Sequence, residues 1–192
     1  MAQIHRRCGN GRFDRRAALK ISAAAGAALF GGSAALLRAQ EDAEAAPSDD
    51  HAGRAESRFL KSMNCSQAVL EVYSQEMGLP APLARRVAAG FAGGMGLGSE
   101  CGALTGAVMV IGLKYGKTTD EDPEADSETF TRIAALVEQF RERHGALACS
   151  QLLGVDMATP DGVEAAKEAG LFTSRCPKFV RSACEILDRV LT

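Results

Sequence analysis

Residues 100–115, ECGALTGAVMVIGLKY, carry no charge between Cys101 and Leu113 and show no polar face at any helical spacing. A helix that is apolar all round is stable only when other helices surround it. The stretch is too long for a buried strand, and no strand-like alternation of useful length occurs elsewhere in the chain. The expectation is therefore an all-α fold, a compact multi-helix bundle with this segment in its middle and Ser99 as its N-cap. Composition agrees: alanine and leucine dominate, aromatics make up 5%, and there is no Trp.

The remaining helices announce themselves by their ends. Asn64 precedes CSQAVLEVYSQEMG as an N-cap, Gln67 falls at N3 as in a capping box, and Gly78 closes the segment. PAPLARRVAAGFAGG opens on prolines suited to a first turn and stops in glycines. Pro123 opens the longest predicted helix, which Gly145 ends, with His144 as a C-terminal capping residue. Thr159-Pro160 starts a short helix and Pro177 the last one.

The N-terminus reads differently. Residues 1–39 carry seven Lys/Arg and one Asp, whereas residues 40–192 carry 15 Lys/Arg and 23 Asp/Glu. Adjacent Arg15 and Arg16, then Leu19-Lys20, precede a mildly apolar run at residues 21–37, as in a twin-arginine export signal. This predicts a signal peptide over 1–39 and delivery to the periplasm, with a membrane anchor through an uncleaved signal as the alternative. Cys8 would leave with the signal. Residues 40–57 are acidic and poor in large apolar side chains, so a flexible linker is expected there, with His51 idle in it. Residues 58–192 form the folded domain. Its acidity excludes a nucleic-acid partner, which requires a basic face.

Five cysteines fall after the signal: Cys65, Cys101, Cys149, Cys176 and Cys184. Cys65 follows the N-cap Asn64, Cys101 follows Ser99, Cys149 begins the echoing CSQLLG, and Cys176 precedes Pro177. Four thiols thus stand at predicted helix N-termini, where unpaired amides and the macrodipole favour the thiolate. Gly93, Gly94, Gly96 and Gly98 allow positive φ and clear space beside Cys101, and Gly102 and Gly106 open a smooth helix face for a neighbouring helix or a cofactor. Cys184, eight residues past Cys176 on the same predicted helix, lies about 80° round the axis and reads as core filling or as a resolving thiol.

Spacing excludes the common alternatives. There is no CxxC, no CxxCH and no ferredoxin run, and GLKYGKTT at 112–119 is one residue short of a Walker loop and follows a helix, so no nucleotide is expected. What remains is a site assembled from positions 36, 48 and 27 residues apart. Four thiolates suit an iron–sulfur cluster, or zinc as the lesser choice. Without a cofactor, the same cysteines suit a thiol/disulfide oxidoreductase. A structural or partner-binding bundle is the third option. His144, five residues before Cys149, is a spare ligand candidate.

Residues 62–191 resemble the redox-active family called C_GCAxxG_C_C. The resemblance lies in NCSQAVL at 64–70, GGMGLGSECGALTGA at 93–107, CSQLLGVD at 149–156 and CPKFV at 176–180. It implies a helical redox domain whose four shared cysteines are Cys65, Cys101, Cys149 and Cys176, with Cys184 an addition. It implies no settled reaction. Similar domains occur beside haem-binding segments in some cytochromes, where an iron–sulfur centre is the natural reading of the cysteines. The reading that follows is an exported electron carrier or redox accessory with an iron–sulfur cluster, an unidentified redox partner protein, and a homodimer as one possible assembly.

Overall fold

The computed structural model describes residues 50–192; the expected signal, Cys8 and residues 40–49 of the expected linker lie outside them. Among the described residues the chain is helical, with one isolated antiparallel bridge between Glu100 and Ala148. The order is α1 (His51–Ser62), α2 (Cys65–Ser74), α3 (Ala81–Ala88), α4 (Gly102–Tyr115), α5 (Pro123–His144), α6 (Cys149–Leu153), α7 (Pro160–Glu168), α8 (Leu171–Ser174) and α9 (Cys176–Val190). None of these helices is long and apolar enough to cross a membrane.

The apolar α4 is central, packed against α2, α5 and α9, while α1 lies along α2 and α9. Val69, Leu70, Leu104, Ile111, Leu136, Phe140, Ile186 and Leu187 fill the space between them, each at most 2% exposed. The closeness of α2 and α4 depends on Gly106: a Cβ there would stand 2.8 Å from the Ser66 carbonyl oxygen and 3.1 Å from Val69 Cβ. The smooth face expected at Gly106 is thus occupied by a helix.

Two expectations require correction. Residues 51–57 are not linker but the first part of α1, capped by Asp50, whose side chain accepts from the Gly53 N–H at 2.7 Å. His51 is far from idle: its Nδ1 lies 2.8 Å from Asp188 Oδ1, its Nε2 3.1 Å from Glu76 Oε1, and its ring stacks on Tyr73 at 4.1 Å. It therefore fastens the start of α1 to the last turns of α2 and α9. Ser99 does not cap α4 either. The helix begins at Gly102 with Cys101 in the cap position, because residues 99–101 run extended beside residues 147–149. There the Cys101 N–H donates to the Leu147 carbonyl at 2.8 Å and the Cys149 N–H to the Ser99 carbonyl at 2.6 Å.

Candidate redox centre

Every one of the four spaced cysteines stands at a helix start: Cys65, Cys149 and Cys176 are the first residues of α2, α6 and α9, and Cys101 precedes α4. The N-cap of α2 is built as its sequence suggests, with Asn64 Oδ1 accepting from the Gln67 N–H at 3.0 Å. These starts meet around one cavity of about 60 Å³, lined by the four cysteines together with Phe59, Met63, Leu152, Leu153, Met157, Phe172 and Phe179, and by Gly93. Cys101 and Cys149 are 5% and 7% exposed, and Cys65 and Cys176 are half-buried. All are free thiols. Cys184 lies elsewhere, fully buried on the flank of α9 beside Tyr73, and does not line the cavity. It is core filling.

The glycines act differently from the expectation that they clear room beside Cys101. Gly102 is the one that faces a sulfur, and that sulfur belongs to Cys65: an added Cβ would lie 2.4 Å from Cys65 Sγ. In the loop before α4, Gly93, Gly94, Met95, Gly96 and Gly98 all take left-handed backbone. Gly98 combines φ +70 with a close approach, since its Cβ would fall 2.0 Å from Ser150 Oγ, which accepts the Met157 N–H. The loop thereby packs on α6.

The four sulfurs are electrostatically unequal, contrary to the expectation of four stabilised thiolates. Cys65 is lowered to about 7, chiefly because the Cys101 S–H donates to it, with help from the backbone N–H groups of Gly93, Cys65 and Ser66. Burial opposes this and loses. Cys101, the donor, is pushed well above its ordinary value by that same bond and by burial. Burial raises Cys149 to about 11 and Cys176 to about 12, and the neighbouring Cys65 adds to both. In an apolar chamber, desolvation outweighs a helix N-terminus unless hydrogen bonds reach the sulfur.

This has a direct consequence for the reduced, metal-free protein. Carbamidomethylation of Cys65 should rise about tenfold per pH unit below 7 and level off above it, as the reactive thiolate fills. Cys149 and Cys176 should remain slow throughout this range. Peptide mass spectrometry across pH 5–9 measures both; a Cys65 midpoint near 9 would show that the Cys101 hydrogen bond does not form.

His144 neither caps α5 nor approaches the thiols. Gly145 ends the helix at φ +75, and the imidazole sits between Phe140 and Phe179 at 4.6 and 5.0 Å. The lining side chains Phe59, Met63, Met157, Phe172 and Phe179 escaped the reading of the sequence. Phe59 falls seven residues after Ala52 and four after Ala55, the spacing of a buried helix stripe, and this was the available signal.

Among the described residues, no three His, Cys, Asp or Glu side chains are grouped so as to hold a metal ion. The four thiols line one cavity, and two of them, Cys65 and Cys101, are in direct contact. A helical domain whose reactive groups are four thiols gathered in one apolar chamber is of the redox-active class. Residues 63–190, two thirds of the chain, match the family model described as "Putative redox-active protein (C_GCAxxG_C_C)", and the chain belongs to that family. No curated protein and no solved structure matches it.

Proposed function

We propose that the chamber holds an iron–sulfur cluster through Cys65, Cys101, Cys149 and Cys176, and that the protein is an electron carrier or redox accessory. The observation that carries this reading is an apolar cavity bounded by four thiols from four helix starts. Four cysteine thiolates are a donor set that suits a cluster, with zinc the lesser choice. A cluster spreads its irons over inorganic sulfide and takes ligands around its periphery.

When bound, such a cluster supplies reversible one-electron transfer. The chain's own part is to ligate, shield and tune. The Gly93, Cys65 and Ser66 amides stabilise negative charge on Cys65, a hydrogen-bonding pattern that moves cluster potentials. Phe59, Leu152, Met157 and Phe179 keep water away. The twin-arginine signal suits this reading, because that route carries proteins already folded around a cofactor inserted in the cytoplasm. The periplasm is then the working compartment.

The Cys101 S–H donating to the Cys65 thiolate favours a second reading, a cofactor-free dithiol pair. In it, Cys65 attacks a partner disulfide and releases one partner thiol. Cys101 then attacks Cys65, leaving a Cys65–Cys101 disulfide and the second partner thiol.

Anaerobic purification of the full chain decides between them. The cluster reading expects visible absorbance with iron and acid-labile sulfide in comparable amounts. A colourless, iron-free, fully folded protein that forms a Cys65–Cys101 disulfide on mild oxidation would overturn it in favour of the second.

A further inference from the structure

A second pocket, of about 390 Å³, is lined in part by Leu152 and Phe179, two side chains that also wall the thiol chamber. Arg143, Arg175 and Lys178 surround it with His144 and Gln151, and no carboxylate lines it. The setting is acidic, since residues 50–192 hold 15 Lys/Arg and 19 Asp/Glu. Three cations around one concavity are therefore a local concentration rather than a share of general basicity.

The cations differ in how far they are compensated. Arg143 is paired with Glu185 at 2.6 Å. Arg175 gives Nη1 to the carbonyls of Leu152 and Leu153 at 3.0 and 3.4 Å, which fixes the guanidinium without neutralising it. Lys178 has no ion pair among the described residues. In the same wall, His144 Nε2 is buried without a hydrogen-bond partner. Burial first, and then Arg143, lowers the imidazole's affinity for a proton, so the ring adds a polar atom and not a fourth charge.

We propose that this pocket binds a small molecule bearing at least two carboxylate or phosphate groups, seated one side-chain layer from Cys149 and Cys176. Two uncompensated cations match two anionic groups, and the volume falls within the range of small-ligand sites, about 300–1,000 Å³. Nearness to the thiols follows from the chain itself. Gln151 lies two residues past Cys149, and Arg175 and Lys178 flank Cys176. Because Leu152 and Phe179 line both spaces, an occupant of this pocket would alter access to the thiols; that link rests on the redox reading above, whereas the binding itself does not.

Calorimetric titration of the full chain with pyrophosphate and with citrate, at low and high salt, tests the site. Both arms ask for the same charge pattern, and their ranking tells phosphate from carboxylate. Lys178→Gln should weaken the better ligand about two- to fivefold, the worth of one exposed charge pair. Lys117→Gln, an exposed lysine outside the pocket, should change nothing. Absence of binding in the unaltered protein, or equal weakening by both variants, would overturn the site. The link to the chamber has its own readout: in the reduced, metal-free protein at about pH 10, where Cys149 begins to ionise, saturating ligand should slow alkylation of Cys149 and Cys176. Binding with unchanged thiol reactivity would leave the anion pocket standing and overturn its connection to the redox centre.

Discussion

Cys101→Ser should give a folded, colourless protein without stoichiometric iron, whereas Cys184→Ala should retain full colour. Serine keeps the size of the side chain and leaves untouched the main-chain bond from residue 101 to the Leu147 carbonyl, so the start of α4 stays where it is. What disappears is the sulfur, and a hydroxyl does not ionise into a soft ligand at neutral pH. Cys184 makes the informative control because it is the more buried of the two, at 0% exposure, and faces Tyr73. If burial alone explained the effect, Cys184→Ala would be at least as damaging. Iron and sulfide analysis with the visible spectrum reads both variants, and equal loss of colour would contradict the four-ligand assignment.

On the proposed cluster reading, Gly102→Ala should prevent iron incorporation at small cost to the fold. The added methyl would stand 2.4 Å from Cys65 Sγ, 2.9 Å from the Phe91 carbonyl oxygen and 3.3 Å from Ala92 Cα. Sulfur is the movable neighbour: rotation about the Cys65 Cα–Cβ bond relieves the worst contact and swings the thiol away from its partners. The main chain at 91–92 must give by a few tenths of an ångström. Overpacking of this kind costs about 1–3 kcal/mol, partly offset by the helix propensity that alanine gains over glycine, about 1 kcal/mol in a helix interior and less at a first turn. Thermal unfolding should therefore shift by a few degrees while the iron content collapses. Retained iron with an unchanged melting temperature would show that residue 102 does not touch the site.

The sequence carried the bundle because its helices are closed by local chemistry. Asn64, Pro123, Gly145 and Thr159 act within four residues of themselves, and each does what its type dictates. Ser99 was misread for the opposite reason. Its segment is committed to a bridge with residues 147–149, some 48 positions away, and no local pattern encodes that pairing. The start of α1 was missed because residues 40–57 look acidic and depleted as a block, although Asp50 and the stripe of Ala52, Ala55 and Phe59 mark a helix within it. For the thiols, helix starts were legible but ionisation was not. Which sulfur becomes anionic depends on who donates to it, and only Cys65 gathers an S–H and three amides.

The Glu100–Ala148 bridge also divides the four cysteines mechanically. Cys101 and Cys149 share a main-chain stitch of two hydrogen bonds that uses no side chain, so their spacing is fixed by backbone alone. Cys65 and Cys176 ride on separate helices, α2 and α9. The separation of Cys101 and Cys149 is thereby held by the main chain, whereas that of Cys65 and Cys176 is set by how α2 and α9 pack against each other.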